Sequence, residues 1–193
     1  MVDLGWGNEK ASKFVTNVGL ITTDGPDGPD IMAAEWTYYV SWSPALITVH
    51  LSGGKAGKAT ARNIVASEEF GVSIAAEGQN VLSSIAGGSH GADVDKMAVI
   101  KEMGFEFYKG KHIKPMLVKG AAINAECHLK EIVEVGDHTM FIGEVMEIEA
   151  HADKKPLAYS FGKYYGLGEQ IQKPEQDALD RIEQLKAKHA KKK

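Results

Sequence analysis

Cysteine is nearly missing from this chain: Cys127 is the one such residue in 193. A single cysteine excludes an intramolecular disulfide framework and any cysteine-rich metal site. It fits a reducing compartment, and the cytoplasm is the expected one. Long apolar runs are missing too. None approaches the roughly 20 residues that span a bilayer, and the opening "MVDLGWGNEKASKF" holds no apolar core of signal-peptide length. No membrane partner is expected. Neither sign of charge dominates: 22 Lys and Arg stand against 26 Asp and Glu, for a net −4. Nucleic-acid binding needs a basic surface, and the one strongly basic stretch, "LKAKHAKKK", reads as a solvated tail. There is no internal repeat, no βαβ rhythm and no GxGxxG after the first strand, which argues against a doubly wound dinucleotide fold.

What is present suits a globular chain with a real core: 44% of residues are hydrophobic and 25% charged. The length favours one domain with at most an appendage. "SKFVTNVGLITT" reads as a strand, "DGPDGPD" as a turn, and "IMAAEWTYYVS" as a second strand in hairpin with the first. Pro44 in "WSP" breaks that strand, and "ALITVHLS" is a third. "KATARNIVASEE" reads as a helix, "FGVSIAA" as a short buried strand, and "EGQNVLSSIAGG" as a helix with a glycine stop. "DVDKMAVIKEMG" is another helix, with Asp93 as its cap and Gly104 as its end.

The clearest alternation lies in "LVKGAAINAECHLKEIVEV". Ile123, Ala125, Cys127 and Leu129 share one face, with Asn124, Glu126, His128 and Lys130 opposite. A Gly-Asp turn joins it to "HTMFIGEVMEIEAH". Cys127 and His128 point to opposite faces, so no metal site is expected. Pro174 starts a last helix whose stripe of Leu179, Ile182 and Leu185 needs another surface. The sum is a mainly β chain of six or seven mostly antiparallel strands: a partly closed barrel with short crossover helices and a C-terminal helix. Residues 1–170 are read as the barrel domain, and 171–193 as the C-terminal helix and basic tail.

Two neighbouring stretches carry chemistry. "SGGKAGKAT" is not a P-loop, because only three residues separate Gly53 from Gly57 and Ala59 follows Lys58. It still offers the Ser52 hydroxyl, the Lys55 and Lys58 charges, and Thr60 in the first turn of a helix, which suits a monophosphate. An ordinary flexible surface loop has the same composition. Just upstream, Trp36, Thr37, Tyr38 and Ser41 supply aromatic and hydroxyl groups of the kind that line a flat heteroaromatic ring. They also occur in plain cores. Together, a ring-binding strand followed by a phosphate-binding loop describes a flavin mononucleotide site.

"IMAAEWTYYVSWSPALITVHLS" resembles the strand-turn-strand core of the flavin reductase-like family of FMN-binding split barrels. "KATARNI", "FGVSIAA", "GADVDKM", "GDHTMFIGEV" and "PLAYSFGKYYGLG" resemble its later landmarks in the same order, over about residues 12 to 168. Ala45 departs from a commonly second proline, and Ala34 and Glu35 replace small polar residues. The resemblance implies that Ala34, Glu35, Trp36 and Thr37 line the isoalloxazine edge, with Ser41 on the same strand. It implies that Ser52, beside Leu51, holds the phosphate with Lys58 and Thr60. Ser89 and His90 are implied to close over the flavin, with Lys96 behind them. His138 is implied to stand by the open flavin face, where nicotinamide approaches, as the residue that aids catalysis. Tyr164 and Tyr165 read as packing residues near a subunit boundary. The implied function is flavin reduction: hydride passes from NAD(P)H to FMN, for onward reduction of an acceptor. A flavoredoxin-like carrier reduced by a redox protein partner, or a non-catalytic flavin-binding protein, stays open. Flavin and nicotinamide nucleotides are the expected ligands, and a homodimer the expected assembly.

Overall fold

The structure, a computed structural model, describes residues 2–5 and 7–191. After a 3₁₀ turn at Glu9–Ala11 come β1 (Thr16–Asn17), β2 (Gly19–Gly25), β3 (Gly28–Ala34), β4 (Thr37–Trp42) and β5 (Ala45–Ser52). Helix α1 (Ala59–Ser67), β6 (Glu69–Ile74), α2 (Asn80–Gly88) and α3 (Lys96–Glu102) follow. Two short strands, β7 (Phe107–Lys109) and β8 (Met116–Val118), lead to the long pair β9 (Ile123–Val135) and β10 (His138–Ala150). Last come β11 (Ala158–Ser160), β12 (Lys163–Tyr165) and α4 (Gln176–Lys188).

Seven strands form one antiparallel sheet in the order β3-β2-β6-β9-β10-β5-β4. Its two edge strands, β3 and β4, are consecutive in the chain and joined only by Glu35 and Trp36. The sheet therefore coils into a barrel left open along one seam, and the chain itself crosses that seam. This is the expected partly closed barrel. "IMAAEWTYYVS", however, is not one strand. The Thr37 hydroxyl donates to the Ala34 carbonyl at 3.1 Å and fixes a turn, so the two halves lie on opposite edges. Alternation along a chain cannot report such a crossing, because both halves keep a period of two.

Two further readings need correction. "SKFVTNVGLITT" divides into β1, which pairs with β11 in a separate small sheet, and β2. Helix α3 is capped by Asp95, whose carboxylate accepts the Ala98 N–H at 2.9 Å, not by Asp93, which lies before the helix. The Gly-Asp hairpin is as expected: Gly136 takes φ +62 at the first turn position, where L side chains are strained, and His138 pairs with Val135.

The barrel interior holds Ile21, Val49, Leu51, Ile64, Phe70, Cys127 and Phe141. A second core, with Leu20, Ile31, Leu82, Met97 and Ile100, lies where α2 and α3 cover the outer face of β2 and β3. Leu20 and Ile21 are neighbours in sequence yet belong to different cores, so β2 is buried on both faces. The stripe on α4 finds no cover among the described residues: Leu179, Ile182 and Leu185 are all exposed. No helix among the described residues is long and apolar enough to cross a membrane.

Candidate functional site

The seam at residues 33 to 36 is where three recesses meet. The largest, ≈ 880 Å³, is lined by Ala33–Trp36, His50, Ser52, Gly136–His138 and Phe161, together with residues 2–5, 7 and 11 near the N-terminus. Strand pairing explains part of this, since Ser52 on β5 lies opposite His138 on β10. The Trp36 ring lies over the His138 ring, centroids 4.5 Å apart at 38°. The His50 ring meets Trp36 edge-on at 6.3 Å, and the His50 backbone N–H donates to the Trp36 carbonyl at 3.0 Å. His138 Nδ1 lies 2.7 Å from the Asp137 carboxylate, and Nε2 has no hydrogen-bond partner among the described residues. The His138 ring holds the Asp137 carboxyl below the usual carboxylate range. Burial, and then the His138 charge, lower His50. Burial raises the half-buried Glu35 carboxyl.

A small recess beside it is lined by Asp30, Met32, Lys58, Thr60, Ser89, Gly91 and Lys96, among others. It includes the start of α1. The loop before that helix folds back on itself: a Cβ on Gly57 would lie 2.1 Å from the Gly53 carbonyl oxygen. Lys58 occupies the cap position in extended conformation, no side chain caps the helix, and its first turn holds no acidic residue. The first-turn amides, which an α-helix leaves unpaired, are thus open beside a lysine. That is the arrangement that favours an anion, and it fits the phosphate of a flavin nucleotide.

The sequence-based site residues divide accordingly. Ala34, Glu35, Trp36, Ser52 and His138 line the large cleft, and Lys58, Thr60, Ser89 and Lys96 the small one. Ser52 is therefore on a different recess from Lys58 and Thr60. The Thr60 hydroxyl is already committed, donating to Asp30 at 2.6 Å. Lys96 is buried and paired with the same carboxylate at 3.0 Å. Both side chains are thus committed to Asp30 within the protein. Thr37 turns inward to the Ala34 carbonyl, and Leu51 is enclosed in the barrel core. Ser41 sits past a bulge in β4, opposite Leu46. His90 is exposed, its carbonyl accepting the Asp93 and Val94 N–H groups at the turn before α3.

Asp30 and His50 escaped sequence reasoning. Asp30 looked like the last residue of a turn-rich "DGPDGPD" run, and its neighbours Thr60 and Lys96 are distant in sequence. His50 alternates with Val49 and Leu51 and so had to face away from them. That signal was available, though nothing in it pointed to Trp36.

Comparison with known proteins agrees with this geometry. An NADH-dependent FAD reductase from Streptomyces globisporus is 28% identical over 152 residues, 78% of this chain and 79% of that one. The FMN reductase (NADH) SmoA of Agrobacterium fabrum is 28% identical over 153 residues, again 78% and 79% of the two chains. The solved structure of the flavin reductase PheA2 is 29% identical, covers 82% of this chain and 94% of its own, and superposes with a TM-score of 0.67. The family profile described as the flavin reductase like domain matches residues 11–168. Split barrel, seam and ordered landmarks therefore have one source: the chain belongs to the flavin reductase-like family.

Proposed function

We propose that this protein is an NAD(P)H-dependent flavin reductase that uses FMN. One observation carries the reading: an uncapped helix start with Lys58 and an aromatic cleft walled by Trp36 and His138 meet at one seam. In this reading Lys58 and the first amides of α1 hold the phosphate. The backbone of residues 33 to 36 edges the ring. Flavin and nicotinamide, when bound, supply the hydride acceptor and donor between them. The chain then has to orient two rings and keep water away. Trp36, Phe161 and His138 serve as the apolar and aromatic wall. His138, held by Asp137 through Nδ1, presents Nε2 as a hydrogen-bonding group to the nicotinamide side. Neither a nucleophile nor a carboxylate pair is required, which agrees with the absence of either from the sequence motifs.

A homodimer is part of the same proposal, with residues 171–193 as an appendage to the barrel domain. Trp42 is 88% exposed and Tyr39 59% exposed on the edge strand β4, and an open edge with apolar groups is covered most simply by pairing. The deciding experiment is the visible spectrum of the purified protein with FMN, followed by NADH or NADPH without air. Bleaching of the flavin band at a catalytic rate is expected. A bound FMN that neither nucleotide bleaches would reject the reductase and leave an electron carrier or a non-catalytic flavin-binding protein.

A further inference from the structure

Helix α4 makes no use of the barrel. Every described residue from Tyr165 to Lys191 is exposed, and among the described residues no hydrogen bond or ion pair joins 169–191 to the rest. A helix of 13 residues is marginal in water by itself, because helical stability comes mainly from packing an amphipathic face. Such a face is present. Leu179, Ile182 and Leu185 are 39%, 42% and 38% exposed and follow one side of the helix. Its cover has to come from outside the single chain.

The charges around the stripe select that cover. Towards its N-terminus α4 carries Asp177, Asp180 and Glu183, and towards its C-terminus Lys186 and Lys188. Glu175 precedes the acidic half, and His189 and Lys191 follow the basic half. This distribution complements the dipole of α4 itself, which steadies the helix but leaves the stripe bare. An anionic surface would attract one half and repel the other, whereas helices that lie on such surfaces are basic along their polar face. A second α4 running antiparallel meets the first with acidic half against basic half, and the two dipoles attract. Centred on Ile182, that pairing sets Leu179 level with the partner's Leu185, and Asp177 level with the turn from the partner's Lys186 to the partner's Lys188. A parallel pair would set like charges side by side at both ends. Residues 166–175, between β12 and α4, form no element and can span up to about 35 Å, so two such helices can meet away from the β4 edge.

We propose that α4 is a self-pairing element: in the dimer it packs antiparallel on α4 of the partner subunit, with the apolar stripe closed about Ile182 and the acidic half of each helix on the basic half of the other. Three apolar residues are too few to hold a dimer alone, so the contact adds to the β4 edge. The inference rests on the homodimer of the reading above and goes beyond it in naming this contact.

Cysteine substitution with mild oxidation reads the geometry in the full chain. Cys127 is buried in the barrel, so the parent should stay uncross-linked and serves as the control. Ile182→Cys, at the two-fold axis, should cross-link to itself readily. Leu179→Cys and Leu185→Cys should each do so about tenfold more slowly alone, because their Cβ atoms would stand beyond disulfide reach of their own copies. Co-expressed, these two should cross-link to each other faster than either does alone. In the Ile182→Cys chain, Lys186→Glu with Lys188→Glu should slow cross-linking several-fold at low salt, and co-expression with an Ile182→Cys chain carrying Asp177→Lys and Asp180→Lys should restore it. Thermal melts check that the barrel is intact. The proposal is overturned if Ile182→Cys stays uncross-linked, if Leu179→Cys or Leu185→Cys alone cross-links as fast, or if the charge variants change nothing. Light scattering keeps the two readings apart. A monomeric parent rejects the homodimer and this contact with it, whereas a dimeric parent whose Ile182→Cys variant does not cross-link rejects this contact alone.

Discussion

Two lysines line the same recess and should behave in opposite ways when removed. Lys96 is 3% exposed and paired at 3.0 Å with Asp30, itself 4% exposed, which also accepts the Thr60 hydroxyl at 2.6 Å. Lys58 has no such partner among the described residues and sits half-buried at the cap position of α1. Lys96→Met strands a carboxylate inside the protein. Breaking a buried pair from one side costs about 3–5 kcal/mol, which for a chain of this size lowers Tm by roughly 6–20 °C. Adding Asp30→Asn removes the stranded charge and should restore most of that loss. Lys58→Ala should leave Tm nearly unchanged. It deletes one charge-assisted bond to phosphate, worth about 1.5–3 kcal/mol, so FMN should bind about ten- to a hundredfold more weakly while riboflavin binds as before. Thermal melts and flavin fluorescence titrations of the three variants decide it. The reasoning fails if Lys96→Met leaves Tm unchanged and weakens FMN selectively, because Lys96 would then face the ligand and not Asp30.

Replacing His138 by Ala should keep FMN affinity and slow anaerobic reduction by NAD(P)H by several-fold to tenfold, the worth of about 0.5–1.5 kcal/mol for one hydrogen bond; an unaltered rate would make it an ordinary turn histidine. Cys127, pushed up to about 12 chiefly by burial and then by Glu126, should resist a thiol reagent at about pH 8 until the protein unfolds; rapid labelling of the native chain would contradict its burial. The His50 ring should titrate below 6.5 by proton NMR. Because the unfolded chain then binds more protons, stability should be full above 6.5 and decline as pH falls towards the lowered value, and His50→Gln should flatten that part of the curve; a midpoint at or above 6.5 would refute it. Light scattering should give a mass near twice the 20.9 kDa chain, with Trp42→Glu shifting it towards monomer; a monomeric parent would refute the β4 interface.

Much of this protein was legible one element at a time. The alternation of Ile123 to Leu129, the Gly136-Asp137 turn and the helix before Gly88 are local signals, and local signals survive in sequence because side-chain period and turn chemistry depend on near neighbours. The ordered landmarks also made the split barrel and its family recognisable. The remaining questions concerned which groups meet across the fold. Trp36 lies on His138, 102 positions away in the chain, because β5 and β10 pair and the chain crosses the seam beside them. Asp30 takes both Thr60 and Lys96, so two residues read as ligand contacts are spent within the protein. An ionised or hydroxyl side chain announces in sequence that it can bind something. Whether its partner is a ligand or another residue depends on distances of about 3 Å, and only the folded chain sets those.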